Sequence, residues 1–187
     1  MDDAIAKSLE EFRNRKIYDA ITVDLLNQLA DSDLEQALID YIGTKFGDDY
    51  EREREIISGL KPGLHALYIT WWVEAEVNNG GFNQYYWNSA GQFANEAPNA
   101  FEYFGAEQYA ALMREANRVR AAEANAMDKY EDLGTMEAFS ASYDESRLGP
   151  LDDRFYKLTE NLSAVRVAKI RAMSRTSRAP EYMESAC

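Results

Sequence analysis

The stretch Leu64-His65-Ala66-Leu67-Tyr68-Ile69-Thr70-Trp71-Trp72-Val73-Glu74-Ala75-Glu76-Val77-Asn78-Asn79-Gly80-Gly81 decides the fold. Its apolar residues recur at the three- and four-residue spacing of one helix face: Leu64, Leu67, Tyr68, Trp71, Trp72 and Ala75. We therefore expect a central helix from about Leu64 to Asn78, packed on most sides. Because glycine tolerates left-handed backbone, Gly80 or Gly81 should take a positive φ and end this helix.

Apolar residues repeat at helical spacing on both sides of this stretch, and we predict an all-α fold in a single compact multi-helix domain. Three helices are expected before it, around the sets Ile5, Leu9, Phe12, then Tyr18, Ile21, Leu25, Leu29, then Leu34, Ala37, Leu38, Tyr41, Ile42. Further helices are expected over about 109–123, 136–143 and 158–172. No alternating run of Val, Ile and Thr indicates a strand.

Local signals bound the third of these helices. Ser32 and Glu35 have the spacing of a capping box, and the run 43–47 contains two glycines that favour a stop. The chain then divides into acidic helices at 1–60 packed on the core, a helical core at 61–173, and a flexible basic tail at 174–187.

Charge limits the classes of partner. The chain has a formal net charge of -13, and residues 1–60 hold 15 acidic against 7 basic side chains. Nucleic acid is bound through clustered Lys and Arg, so direct binding of DNA or RNA is not expected, whereas a basic protein is a suitable partner. Charge that serves only solubility stays open as an alternative. The lone cysteine, Cys187, and the lack of a leader or membrane segment favour a cytoplasmic location.

The residues that catalysis or metal binding requires are scarce, and we predict no catalytic residue, metal or cofactor. His65 is the sole histidine and reads as a partly buried side chain with one hydrogen bond. Glu74 and Glu76 diverge by about 200° on a helix. Asp152-Asp153 is typical of a helix N-terminus, and the charged run 51–55 of a solvated helix face.

A group of acids in the first third of the chain has only Lys45 nearby in sequence. These residues form the predicted partner-binding patch: Asp31, Asp33, Glu35, Asp40, Asp48 and Asp49.

The stretch Trp72-Val73-Glu74-Ala75-Glu76-Val77-Asn78-Asn79-Gly80-Gly81-Phe82-Asn83-Gln84-Tyr85-Tyr86-Trp87-Asn88-Ser89-Ala90-Gly91 resembles the signature of a family of bacterial DNA-mimic proteins. Weaker similarity extends over 97–106 and 151–156. The resemblance implies an all-α fold and, from the family's named representative, an acidic homodimer whose carboxylates imitate duplex phosphates and occupy a transcription factor.

The amide-rich turn after the central helix suggests an alternative. Amides there can cap helix ends and bond buried carbonyls, which is a role in the fold. They can also line a pocket of a small-molecule-binding protein or enzyme. The residues of that alternative pocket are Glu76, Asn78, Asn79, Gln84, Tyr85 and Asn88.

Overall fold

A computed structural model describes residues 3–47 and 49–175 of the chain, with the side chains from Ile5 onward. This part contains ten α-helices, two 3₁₀ turns (Tyr50–Arg52 and Ser89–Phe93) and no strand. The helices are α1 (Asp3–Arg13), α2 (Val23–Gln28), α3 (Asp31–Phe46), α4 (Glu53–Ser58), α5 (Pro62–Trp87), α6 (Ala97–Phe104), α7 (Glu107–Glu131), α8 (Met136–Glu145), α9 (Gly149–Phe155) and α10 (Leu162–Ser174). The predicted all-α fold is confirmed.

The long helix α5 lies at the centre and contacts α3, α4, α6, α8 and α9. Proline at the start of α5, α6 and α9 suits these positions, because the first turn of a helix needs no N–H there. Thirteen residues of α5 are buried, on all sides of the helix. The prediction that the central helix packs on most sides is therefore confirmed.

Helix α5 bends after Asn79 and continues in a new direction to Trp87. Gly80 has φ -156° and ψ 25°, and Gly81 has φ 76° and ψ -178°. The prediction of a positive φ at one of these glycines is confirmed. The helical backbone is interrupted at these two glycines, so the first half of α5 ends where the sequence predicted the end of the central helix, and the second half follows directly in a new direction.

The N-terminal helices differ from their predicted bounds. Tyr18 and Ile21 precede α2, which begins only at Val23 with Thr22 as its cap. No side chain caps the start of α3, whose first residue follows Ala30, so the predicted capping box is wrong. The predicted stop is confirmed, since α3 ends at Phe46 and Gly47 follows with φ 52°.

The apolar face of α1 is largely open to solvent. Ile5, Leu9 and Phe12 are each about half exposed. By contrast, α2 and α3 contact α10, and α3 also contacts α5. Asp48 and residues 176–187, which include most of the predicted tail and Cys187, lie outside the described residues.

None of the helices within 3–47 and 49–175 combines the length and the apolar character that crossing a lipid bilayer requires.

Candidate functional site

The predicted acidic patch is distributed over different sides of α3. Residues 31 and 35 are four apart and face α10, whereas residues 33 and 40 are seven apart and face the segment that follows α1. Asp33 and Asp40 line a groove of about 540 Å³ together with Arg15 and Lys16. Asp49 is exposed beyond the end of the helix.

Three arginines from distant parts of the chain neutralise three of these acids. Arg15 donates two hydrogen bonds to Asp40, at 2.6 and 2.8 Å, and the Asp40 side chain is only 7% exposed. Asp31 pairs with Arg171 at 2.7 Å but stays 72% exposed. The sequence shows only Lys45 near these acids because the arginines approach through the fold.

The third arginine, Arg166, joins three helices inside the protein. It lies on α10, is 1% exposed, and pairs with Glu35 of α3 and Glu74 of α5. The Glu35 side chain is 13% exposed. Because Glu35 and Asp40 form internal ion pairs, the exposed carboxylates of the predicted patch, among its described residues, are those of Asp31, Asp33 and Asp49.

At the amide-rich turn, Glu76 connects the two halves of the bent helix. Its Oε2 accepts a hydrogen bond from Gln84 at 2.7 Å and another from Asn88 at 2.8 Å. Glu74 turns to Arg166 instead, so the predicted divergence of the two glutamates is confirmed. Asn78 and Asn79 are exposed.

Tyr85 of the same turn is buried, at 1% exposure, and its hydroxyl has no hydrogen-bond partner among the described residues. Burial, and in second place the charge of Glu96, raises the pKa of Tyr85. The phenol therefore stays neutral and packs as an aromatic ring.

The bend of α5 is held by side chains that the sequence prediction missed. Three backbone groups near the bend are bonded by residues of α8, of α9 and of the position just after α9: the Gly80 carbonyl by Tyr143 (2.8 Å), the Phe82 N–H by Asp152 (2.7 Å) and the Val77 carbonyl by Tyr156 (2.6 Å). Asn83 also donates to Ser142 at 2.8 Å. These partners lie 59 to 79 residues away, and no local pattern indicates them.

Asp152 combines two roles. It lies in the first turn of α9, as predicted for a helix N-terminus. Its carboxylate also accepts the hydrogen bond from the Phe82 N–H at the start of the second half of α5. Burial raises the pKa of Asp152, and Asp153 raises it further, while the bond from the Phe82 N–H lowers it. The bend thus depends on a partly buried carboxylate.

His65 bonds Glu96 at 2.9 Å and is 24% exposed, which confirms a partly buried histidine with one partner. In the charged run 51–55, Arg52 pairs with Glu55 as expected, but Arg54 pairs with Glu96. Glu53 is buried, so the run is not simply a solvated face.

A spacing signal for Glu53 was present in the sequence. Ile57 and Leu60 follow it by four and seven residues, the spacing of one helix face, and all three are buried, although α4 ends before Leu60. Alternating charge in the run concealed this pattern.

Within 3–47 and 49–175, no group of three or more His, Cys, Asp or Glu side chains is arranged to hold a metal ion.

Comparison with known proteins adds one match. The model of a family described as DMP19-like protein matches residues 58–175, which is more than half of the chain. Neither a curated protein nor a solved structure matches the chain significantly. The matched range includes the bend of α5, α9 with Asp152, and Arg166, and it begins after α3.

Proposed function

The chain belongs to the DMP19-like protein family, and from that membership we propose that it is a non-catalytic acidic binding protein that acts as a DNA mimic. It would occupy the DNA-binding surface of a basic protein such as a transcription factor. The observation that carries this proposal is the family match in a chain whose formal net charge is -13. A cytoplasmic location and the absence of a cofactor are parts of the same proposal.

The predicted partner-binding patch on and after α3 is called the front patch. Its exposed carboxylates are the first candidates for contact with the partner. Asp31, Asp33 and Asp49 are exposed, and Asp33 and Asp49 have no cation within ion-pair distance among the described residues. Exposed charges of this kind steer association and are screened beyond about 8 Å at physiological salt. Glu35 and Asp40 support the fold and are left out of this contact surface.

A second acidic surface lies at the end of α7 and on α8. Its exposed acids without an ion pair among the described residues are Asp128, Asp132, Glu137 and Asp144. It offers a matched control, because charges can be reversed there without touching the front patch.

The test begins with capture of a partner on the immobilised protein from native lysate at low salt. We expect retained DNA-binding proteins that duplex DNA releases at constant ionic strength, since a mimic and DNA compete for one surface. Retention that duplex DNA leaves unchanged would refute the mimic.

A pair of matched variants then locates the surface. Asp33→Lys with Asp49→Lys should slow association with the captured partner by about three- to tenfold and flatten its salt dependence. Asp128→Lys with Asp132→Lys makes the same change in net charge and should have a smaller effect. Equal effects of the two pairs would contradict a specific role of the front patch.

We further propose a homodimer that forms through α1. The support is the half-exposed apolar face with Ile5, Leu9 and Phe12. Leu9→Glu should then convert a dimer into a monomer in light scattering after gel filtration. The control is Leu133→Glu, since Leu133 is also exposed but lies far along the chain, after α7.

The alternative function, a pocket at the amide-rich turn, gains no support from the hydrogen bonds there. Glu76, Gln84 and Asn88 bond one another, and Tyr85 is buried. The pattern favours a role of these residues in holding the bend.

A further inference from the structure

A groove of about 440 Å³ lies between α3, α4 and α5, beside the end of α1. We call it the aromatic groove, after the residues that dominate its lining: Phe46, Tyr50, Tyr68, Trp71 and Trp72, with the carboxylate of Glu53 among them. The rings contact one another, with centroids 5.1 Å apart for Trp71 and Trp72 and 5.3 Å apart for Phe46 and Tyr50. The faces and edges of these rings form an apolar wall around one acid.

Glu53 is the unusual residue of the groove. It is 6% exposed and accepts hydrogen bonds from the Tyr68 hydroxyl at 2.5 Å and from Gln92 at 3.1 Å. No Lys, Arg or His among the described residues lies within ion-pair distance of it. Buried charges are normally paired with an opposite charge, so Glu53 lacks the partner that its burial calls for.

The neighbouring carboxylate of the same groove has its cation. Asp40 receives two bonds from Arg15, and the Arg15 guanidinium lies 3.6 Å from the centre of the Phe12 ring. One end of the groove thus already holds a guanidinium between a carboxylate and an aromatic ring. Glu53 and its rings offer the same chemistry without the guanidinium.

Two further polar groups, the Tyr68 hydroxyl and the Trp72 indole, lie beside Glu53 in the lining of the groove. Burial and the hydrogen bond to Glu53 raise the pKa of Tyr68, so its hydroxyl keeps the proton that it donates. The indole N–H of Trp72 is buried beside the same hydroxyl, and its interaction with that oxygen lowers the Tyr68 pKa in part.

We propose that the aromatic groove binds a lysine or arginine side chain of the partner protein, with its charged group on Glu53 and its stem between the rings. Cations are attracted to aromatic faces, and the apolar stem replaces water along them. A side chain fits better than a free ion, because its apolar stem packs along the rings. The inference rests on the proposed function, since a DNA-binding surface is rich in lysine and arginine.

The direct test needs no identified partner. The blocked amino acids N-acetyl-lysine N-methylamide and N-acetyl-arginine N-methylamide serve as probes, and N-acetyl-norleucine N-methylamide as the uncharged control. In ¹⁵N NMR spectra the indole signals of Trp71 and Trp72 should shift with the charged probes, whereas that of Trp87, which packs on Phe139, should not. Unmoved signals, or equal shifts with norleucine, would overturn the proposal.

Variants identify the responsible carboxylate. Glu53→Gln keeps the shape of the side chain and should weaken the charged probes at least tenfold. Glu51→Gln removes an exposed charge two residues away and should leave their affinity unchanged. Because Glu53 is buried, its variant can fail to fold, and a second variant at a half-buried position is therefore included. Trp71→Leu should lower the affinity for the charged probes several-fold. A folded Glu53→Gln protein with wild-type affinity would refute the site, as would wild-type affinity in Trp71→Leu.

This test separates the two proposals. Should the probes bind while no captured partner is released by duplex DNA, the groove stands and the mimic fails. If duplex DNA releases a partner, the Glu53→Gln protein binds that partner normally and the probes do not bind, then the mimic proposal stands and the groove proposal fails.

Discussion

Gly81 has a backbone conformation that is nearly reserved for glycine, with φ 76° and ψ -178°. A Cβ at this position would lie 2.4 Å from an oxygen of Asp152. Strain and clash act together, so we predict that Gly81→Ala lowers the free energy of unfolding by about 2–4 kcal/mol. Urea denaturation followed by circular dichroism measures this change.

Gly43→Ala is the matched control for this prediction. Gly43 lies within α3, and a Cβ there would meet nothing within 4 Å. Alanine should therefore be neutral or stabilise the protein by about 0.5–1 kcal/mol. Comparable stability of the Gly81→Ala protein and the wild type would mean that the bend tolerates a side chain.

Asp152 supports the bend through its bond to the Phe82 N–H. We predict that Asp152→Ala costs about 1–3 kcal/mol at neutral pH, because this N–H loses its acceptor. Asp152→Asn keeps an oxygen at the position and should cost much less. Equal losses in the two variants would show that the hydrogen bond is not the cause.

The same residue gives stability a pH dependence of defined sign. Its pKa is raised in the folded state, mainly by burial, so the folded protein holds this proton more tightly than the unfolded chain. The stabilisation that the protonated Asp152 side chain contributes to the folded state is complete below the ordinary pKa of aspartate, about 3.9. This stabilisation is lost as pH rises through the pKa of Asp152 in the folded protein. The stability of Asp152→Asn relative to wild type should therefore increase from about pH 4 upward. A falling difference would contradict the sign.

At the scale of elements, Arg166 joins α10 to α3 and α5 through Glu35 and Glu74. Arg166→Met fills much of the same space but leaves two acids beside each other without a cation. We predict a loss of about 3–5 kcal/mol in the free energy of unfolding. Arg52→Met removes an exposed pair with Glu55 and should leave the free energy of unfolding nearly unchanged. Similar losses in both variants would refute the structural role of Arg166.

Helix positions were predictable where apolar spacing is long and regular, as in α5, α7, α8 and α10. The paired asparagines and glycines predicted the helix end at the bend of α5, whereas the direction of its second half depends on distant groups in α8 and just after α9. The start of α2 was misplaced for a related reason. Ile21 is buried although it precedes α2, so its place in the apolar pattern reflects burial in the core and not a helical conformation.

The candidate site was less predictable, because its charges are balanced across long sequence distances. Arg166 and Arg171 lie more than 130 residues from the acids of α3 that they neutralise. A count of neighbouring charges cannot reveal such pairs. The sequence did indicate which residues are acidic, but the fold decides which of them stay exposed.

At the scale of the whole molecule, the family match begins at residue 58, after α3. The residues of α3 that are buried in the core include Leu34, Leu38 and Ile42. We predict that the fragment 58–175 gives no cooperative thermal transition, since it lacks this face and the Glu35 partner of Arg166. A fragment that begins at residue 14 loses only α1 and should keep most of the wild-type melting temperature. Cooperative melting of 58–175 near the wild-type temperature would contradict this.

The ion-pair triad of Arg166, Glu35 and Glu74 thus extends beyond the range that matches the family model, so the folding unit is longer than the shared range. Two members lie in the range shared with the family, and the third is supplied by the segment before it. A relative with a different leading segment must bring its own carboxylate to Arg166, or carry an apolar side chain in place of the arginine. Grafting of this shared range into a chimera therefore succeeds only when the donor of the first helices also supplies that one negative charge.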